Sequence, residues 1–217
     1  MCDRLLASYQ GRDGLIKTLG YTFMLAGGLT EGGLQRRFRT LSKEMSHCRV
    51  VLRLLDDWSM LQYSMQYGLG RHERDQLLRV VSVVKNMADQ VFFPIEHIAW
   101  LGDKRILRMR DTDRLWTATK FLWAFSLYCG CIKAVRTLQH LDEQEKEIQN
   151  QFDTTEIRRA KAIQILSLLI SFLNLINAIS WLPKGVLWAG KLRPWHNGAI
   201  GLTASLLGLL QLLVVRK

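Results

Sequence analysis

The side chains that could do covalent chemistry are few and poorly placed for it. His47, His72, His97, His140 and His196 are scattered, with no H-E-x-x-H pair on one helical face and no Cys/His spacing that would cage zinc. Cys2, Cys48, Cys129 and Cys131 form no C-x-x-C motif. Cys129 and Cys131 sit in an apolar run, where a thiol packs as a small hydrophobe. Asp56 and Asp57 are adjacent, so on a helix they diverge by about 100° and cannot share a substrate as an acid–base pair. They read as solvated or helix-pairing carboxylates. Glu96–His97, beside Pro94, reads as a structural histidine with its partner. No G-x-G-x-x-G or G-K-[ST] loop is present, and the GLG at 68–70 lacks the rest of either. No catalytic, cofactor-binding or metal site is expected, and the chain reads as a non-enzyme.

The remaining chemistry is interfacial, and it lies in the stretch RRFRTLSKEMSHCRVVLRLLDD at 36–57. On a helical wheel Leu34, Phe38, Leu41, Met45, Cys48, Leu52 and Leu55 cluster within about 60° of one line. Arg36, Arg39 and Lys43 lie opposite, with His47; Arg37, Arg49 and Arg53 lie on the flanks. The apolar set is a candidate membrane-inserting face, and Arg36, Arg39, Lys43, Arg49 and Arg53 are candidate contacts to anionic lipid. Half-burying seven such side chains in lipid would be worth roughly 5–10 kcal/mol before ordering costs. Each cation at an anionic leaflet adds on the order of 1 kcal/mol. A surface helix of a soluble bundle carries the same pattern, so this face taken alone fits a protein core as well.

The rest of the 217-residue chain supplies the tether. Net charge is +11, from 30 Lys plus Arg against 19 Asp plus Glu, which favours an anionic partner. Two regimes meet near Arg110. Before it, three helices are expected at about 3–26, 33–66 and 72–101, with Pro94 bending or ending the third. After it come three apolar segments, 115–132, 162–182 and 198–215, each near the length needed to cross a bilayer. Lys120 in the first can snorkel if it lies near a membrane face, and Arg114 six residues earlier marks where that face would be. In the second, Gln164, Ser167, Ser171, Asn174, Ala178 and Trp181 make a small-and-polar stripe suited to another helix. The third is smooth, with Gly198, Gly201, Ala204, Ser205 and Gly208. The connector 133–161 reads as helical and water-exposed. No secretory signal is seen, and LLVVRK is not a peroxisomal S-K-L address.

These features define an all-α protein in which an amphipathic helical region (1–111, cytosolic, basic and membrane-remodelling) precedes membrane-embedded helices (112–217). Residues 1–114 carry 18 Lys or Arg, which marks the N-terminal side as cytosolic. Two full spans, 115–132 and 198–215, would bring Lys217 to the cytosolic side too, with 162–182 embedded without crossing. Charge alone would also suit nucleic acid, but no aromatic–basic interleaving on a soluble domain is present, so no nucleic-acid partner is expected. A small pore or solute-transport component of the membrane is the alternative, carried only by the polar stripe of 162–182.

The stretches YQGRDGLIKTLGY at 9–21, SHCRVVLRLLDD at 46–57, QYGLG at 66–70, MADQVFFPIEHIAW at 87–100 and WLPKGVLWAG at 181–190 resemble the peroxisomal membrane protein 11 (peroxin-11) family, most closely its gamma type. The resemblance covers nearly the whole chain. It implies an integral, multi-pass peroxisomal membrane protein with both termini facing the cytosol, acting in the elongation, proliferation and fission of peroxisomes. It further implies homo-oligomers, pairing with sister isoforms, and contact with a tail-anchored fission adaptor and its dynamin-like GTPase. Delivery by a cytosolic membrane-protein import receptor is expected. The family's inserting helix maps onto about 41–55. The connector 140–156 is more acidic than the family pattern, and the tail after 215 is only Arg216–Lys217.

Overall fold

The computed structural model describes residues 6–148 and 154–215; Cys2, Arg216, Lys217 and residues 149–153 lie outside that description. Among the described residues the chain is helical, with no strand. The elements are α1 (Tyr9–Leu29), α2 (Gly32–Leu52), a 3-10 turn (Arg53–Leu55), α3 (Asp56–Tyr67), α4 (Gln76–Asp103), α5 (Thr112–Ile148), α6 (Thr155–Ser180) and α7 (Pro194–Val215).

Local chemistry sets several of these bounds. The Ser8 hydroxyl accepts from the Gly11 amide at 3.1 Å and caps α1. The helix expected over 33–66 is broken at the 3-10 turn, and Asp56 and Asp57 open α3 where the helix dipole favours negative charge. Asp75 caps α4 through the Leu78 amide at 3.0 Å, and also accepts from Arg136 at 2.6 Å with His140 at 2.7 Å. The Leu78 amide first, then Arg136 and His140, hold the Asp75 carboxyl well below the usual carboxylate range. Pro94 does not end α4, which runs on to Asp103.

α5, α6 and α7 are each long and apolar enough to cross a membrane. Their outward faces carry Phe121, Phe125, Tyr128, Ile165, Leu169, Phe172, Leu206 and Leu210, all exposed, while Ala178 and Ala204 are fully buried. Large apolar side chains outside and small or polar ones inside is the arrangement a lipid-facing bundle adopts. The polar stripe of α6 bonds to neighbouring helices. Ser167 receives Gln211 of α7 at 2.5 Å, Asn174 receives Lys17 of α1 at 3.0 Å, and Ser171 lies against Gly130 of α5. Asn177, outside the stripe, is fully buried and donates to the Tyr21 hydroxyl at 3.0 Å. The WLPKGVLWAG loop folds back over the α5–α6 seam, where Trp188 donates to the Ile176 carbonyl at 2.9 Å and Ala189 joins the core of Ala124, Ala178, Ile179 and Leu182.

The division expected near residue 111 does not coincide with a division in packing. Helices touch in the order α2, α1, α7, α6, α5, α4, α3, and α2 meets α4 again. α1 lies antiparallel along α7, with Gly14 at Leu209, Tyr21 on Gly201, Leu25 on Gly198 and Gly28 at Trp195. A Cβ at Gly198 would sit 2.5 Å from the Leu25 amide nitrogen, and one at Gly28 would sit 2.7 Å from that of Trp195. Only glycine lets these backbones approach so closely. Gly208, also on α7, faces open space. Gly198→Val should therefore cost about 1–3 kcal/mol through overpacking, read as a lowered thermal midpoint in detergent, while Gly208→Ala should not lower it.

Candidate functional site

The apolar side of α2 is not one surface in the folded chain. It divides into two rows, each with a spacing of seven. Phe38, Met45 and Leu52 are half-buried. Phe38 stacks on Phe23 of α1, with ring centroids 6.2 Å apart, and the Met45 Cβ would lie 3.2 Å from a Cβ at Gly20. Ser42 between them is buried and donates to the Gly20 carbonyl at 2.9 Å. Leu34, at 51% exposure, Leu41, at 41%, and Cys48 face outward. Leu55 lies in the 3-10 turn, and its side chain is outside the described set.

The cations divide as well. Arg36, Arg39 and Lys43 are exposed. Arg49 and Arg53, grouped with them by the wheel, turn inward instead. Arg49 makes a two-pronged pair with Asp13 of α1, at 2.8 and 3.0 Å. Arg53 donates to Glu96 of α4 at 2.6 Å. Two paired guanidinium groups with side-chain exposures of 21% and 18% are not free to meet headgroups. A flank position on a wheel cannot show that a carboxylate on a neighbouring helix waits there.

The same network fixes the end of α2. Asp56 accepts from the Tyr9 hydroxyl of α1 at 2.7 Å, and Asp57 meets His97 of α4 at 3.0 Å. The divergence expected of adjacent helical carboxylates thus ties two different helices to α3.

Inside the ring of helices lies a cavity of about 540 Å³. α1 contributes Lys17 and Tyr21; α2 and the turn contribute Arg49 and Arg53. The facing walls are α4, through Lys85, Asp89, Phe92, Phe93 and Glu96, and α5, through Trp116, Thr119, Lys120 and Trp123. A second chamber of about 230 Å³ adjoins it, sharing Lys17, Tyr21, Arg49 and Trp181. Lys120, which could snorkel if it lay near a membrane face, lines this space. The wall residues of α4 and α5 recur at three- and four-residue spacings, a signal present in the sequence but hidden because it mixes charged and aromatic types.

Residues 2–213 match the family model described as Peroxisomal biogenesis factor 11 (PEX11). The chain is similar to Peroxisomal membrane protein 11C of Homo sapiens, 41% identical over 220 residues, and to that of Mus musculus, 39% identical over the same length. Each alignment covers 95% of this chain and 90% of the relative. No solved structure matches.

Proposed function

The chain belongs to the peroxisomal biogenesis factor 11 family, and on that premise we propose that it is a gamma-type peroxisomal membrane protein that elongates peroxisomes and readies them for fission. Biogenesis of the organelle is the family's part, and both relatives are named as peroxisomal membrane proteins. The mechanism we favour is shallow insertion of α2 into one leaflet, which expands that leaflet and favours curvature. One observation carries it: the row Leu34, Leu41 and Cys48 stays exposed in the folded chain, and Arg36, Arg39 and Lys43 are exposed on the opposite side of the same helix. The inward row Phe38, Met45 and Leu52 meanwhile holds α2 to α1. Self-association, pairing with sister isoforms, an import receptor and recruitment of a fission adaptor with its dynamin-like GTPase complete the reading; they rest on family membership alone. A pore has less support, because the polar stripe of α6 that suggested it is engaged by Gln211 and Lys17.

Both termini facing the cytosol is part of the proposal. The antiparallel contact of α1 with α7 supports it, since it sets the start of α1 beside the end of α7. Tags at the two ends of one chain should be cleaved together by protease added to intact organelles. Protection of either one alone would refute that arrangement.

The two rows make the mechanism separable from folding. Full-length protein carrying Leu34→Glu with Leu41→Glu should keep its helicity and thermal midpoint but lose tubulation of liposomes containing anionic lipid. Met45→Glu should instead cost about 2–5 kcal/mol, because it places a charge against α1. Reversal of Arg36, Arg39 and Lys43 to Glu should weaken liposome binding most at low salt. Undiminished tubulation by the outward-row variant would sink leaflet insertion by this face.

A further inference from the structure

The central cavity holds more positive charge than the protein neutralises. Five cations reach it: Lys17, Arg49, Arg53, Lys85 and Lys120. Three are matched, Arg49 by Asp13, Arg53 by Glu96, and Lys85 by Asp89 at 2.5 Å. Asp89 also accepts from Ser126 at 2.5 Å, so its two oxygens are occupied. Lys17 has only the neutral amide of Asn174 at 3.0 Å. Lys120 has no hydrogen bond or ion pair among the described residues. Two further polar atoms on the wall, Arg53 Nε and Glu96 Oε2, are buried without a partner.

A lining amine without a carboxylate partner either loses its proton or keeps it by gaining an anion, and burial pushes the Lys17 amine down to about 7. Most of the remaining wall is apolar and aromatic, with Phe92, Phe93, Trp116, Trp123, Leu127 and Trp181, beside the hydroxyls of Tyr21, Thr119 and Ser126. Its volume is that of a small-molecule site, and a few polar groups set in an aromatic lining is the composition such sites share. An inorganic ion would satisfy the lysines but leave most of the lining empty. A neutral hydrocarbon would fill the lining but leave the lysines uncompensated.

We propose that this cavity binds an anionic amphiphile, with one carboxylate or phosphate head between Lys17 and Lys120 and an apolar tail along Phe92, Phe93, Trp116 and Trp123. The proposal does not rest on the reading of α2, because none of Leu34, Leu41 or Cys48 lines the cavity. The same head-and-tail chemistry could arrive as a free single-chain acid or as a bilayer lipid.

Photolabelling of the full chain in zwitterionic nanodiscs separates these cases. The probes are a diazirine-tailed alkyl carboxylate, the matching alkyl alcohol and a diazirine-tailed phosphatidic acid. The carboxylate probe should label Phe92, Phe93, Trp116 or Trp123, and dodecanoate should compete it away. Labelling of those residues should fall at least tenfold with the alcohol, and equally with Lys17→Met plus Lys120→Met. Labelling of the same residues by the phosphatidic acid identifies a bilayer lipid as the occupant; its absence there identifies a free amphiphile. Should the double variant fail to fold, Lys120→Met alone should still reduce labelling, and Lys120→Arg should restore it. Adducts confined to outward residues such as Phe121 and Phe125 would overturn the proposal. So would equal labelling by the alcohol, or labelling indifferent to both lysines.

Discussion

The backbone-to-backbone approach of α1 and α7 is the contact on which the rest of the molecule depends. α7 is long and apolar enough to cross a membrane, and lipid is as apolar as leucine, so such a span and a helix packed on it gain little by hiding hydrophobic surface from lipid. They associate when small residues let many atoms come within van der Waals range. Gly28 on α1 with Gly198 and Gly201 on α7 supply that closeness, and the Tyr21 ring lies directly on Gly201. The register places Lys17 at Asn174 and Tyr21 at Asn177, so the N-terminal helix is bonded to α6 as well.

From that placement the other features follow. α1 carries α2 with it, through Phe23–Phe38 and the bond of Ser42 to Gly20. α2 in turn reaches α4 through Arg53 and Glu96, and the ring closes around the cavity. An amphipathic helix fixed in this way differs from one hanging on a tether. Half its apolar side already has a protein partner, so less area remains for lipid than the wheel suggests. What remains exposed, Leu34, Leu41 and Cys48, is held in a set direction by the packing of α2 on α1.

Much of this was legible in the sequence. The apolar segments at 115–132 and 198–215 each fall within one long helix, and 162–182 does so up to Ser180, because hydropathy over about 20 residues depends on composition and not on partners. The stripe of Ser167, Ser171 and Asn174 pointed to helix contacts, and each residue makes one. Segment 9–29 was harder to read. Arg12, Asp13 and Lys17 give it the look of a surface helix, and Asp13 and Lys17 are satisfied by Arg49 and Asn174, far away in the chain. The inward turn of Arg49, Arg53 and Lys120 was hidden for the same reason. A wheel fixes the direction of a side chain from its own helix axis, but not what stands in that direction. Of the two effects expected of Pro94, an early end to its helix does not occur: α4 continues through it, alongside α5.

The most direct test of this account is a cross-link between α1 and α7 within one chain, in membranes. In a chain whose native cysteines are replaced by serine, Gly14→Cys is paired with Leu209→Cys, since a Cβ at position 14 would lie 3.6 Å from the Leu209 Cγ. The control is Gly130→Cys with Ser171→Cys on α5 and α6, where a Cβ at position 130 would lie 3.4 Å from the Ser171 Oγ. Under mild oxidation both pairs should form intramolecular disulfides, with α1 protected alongside α7. A chain that cross-links at 130–171 but not at 14–209 would show that the N-terminal hairpin stands apart from the spans, and would contradict the account.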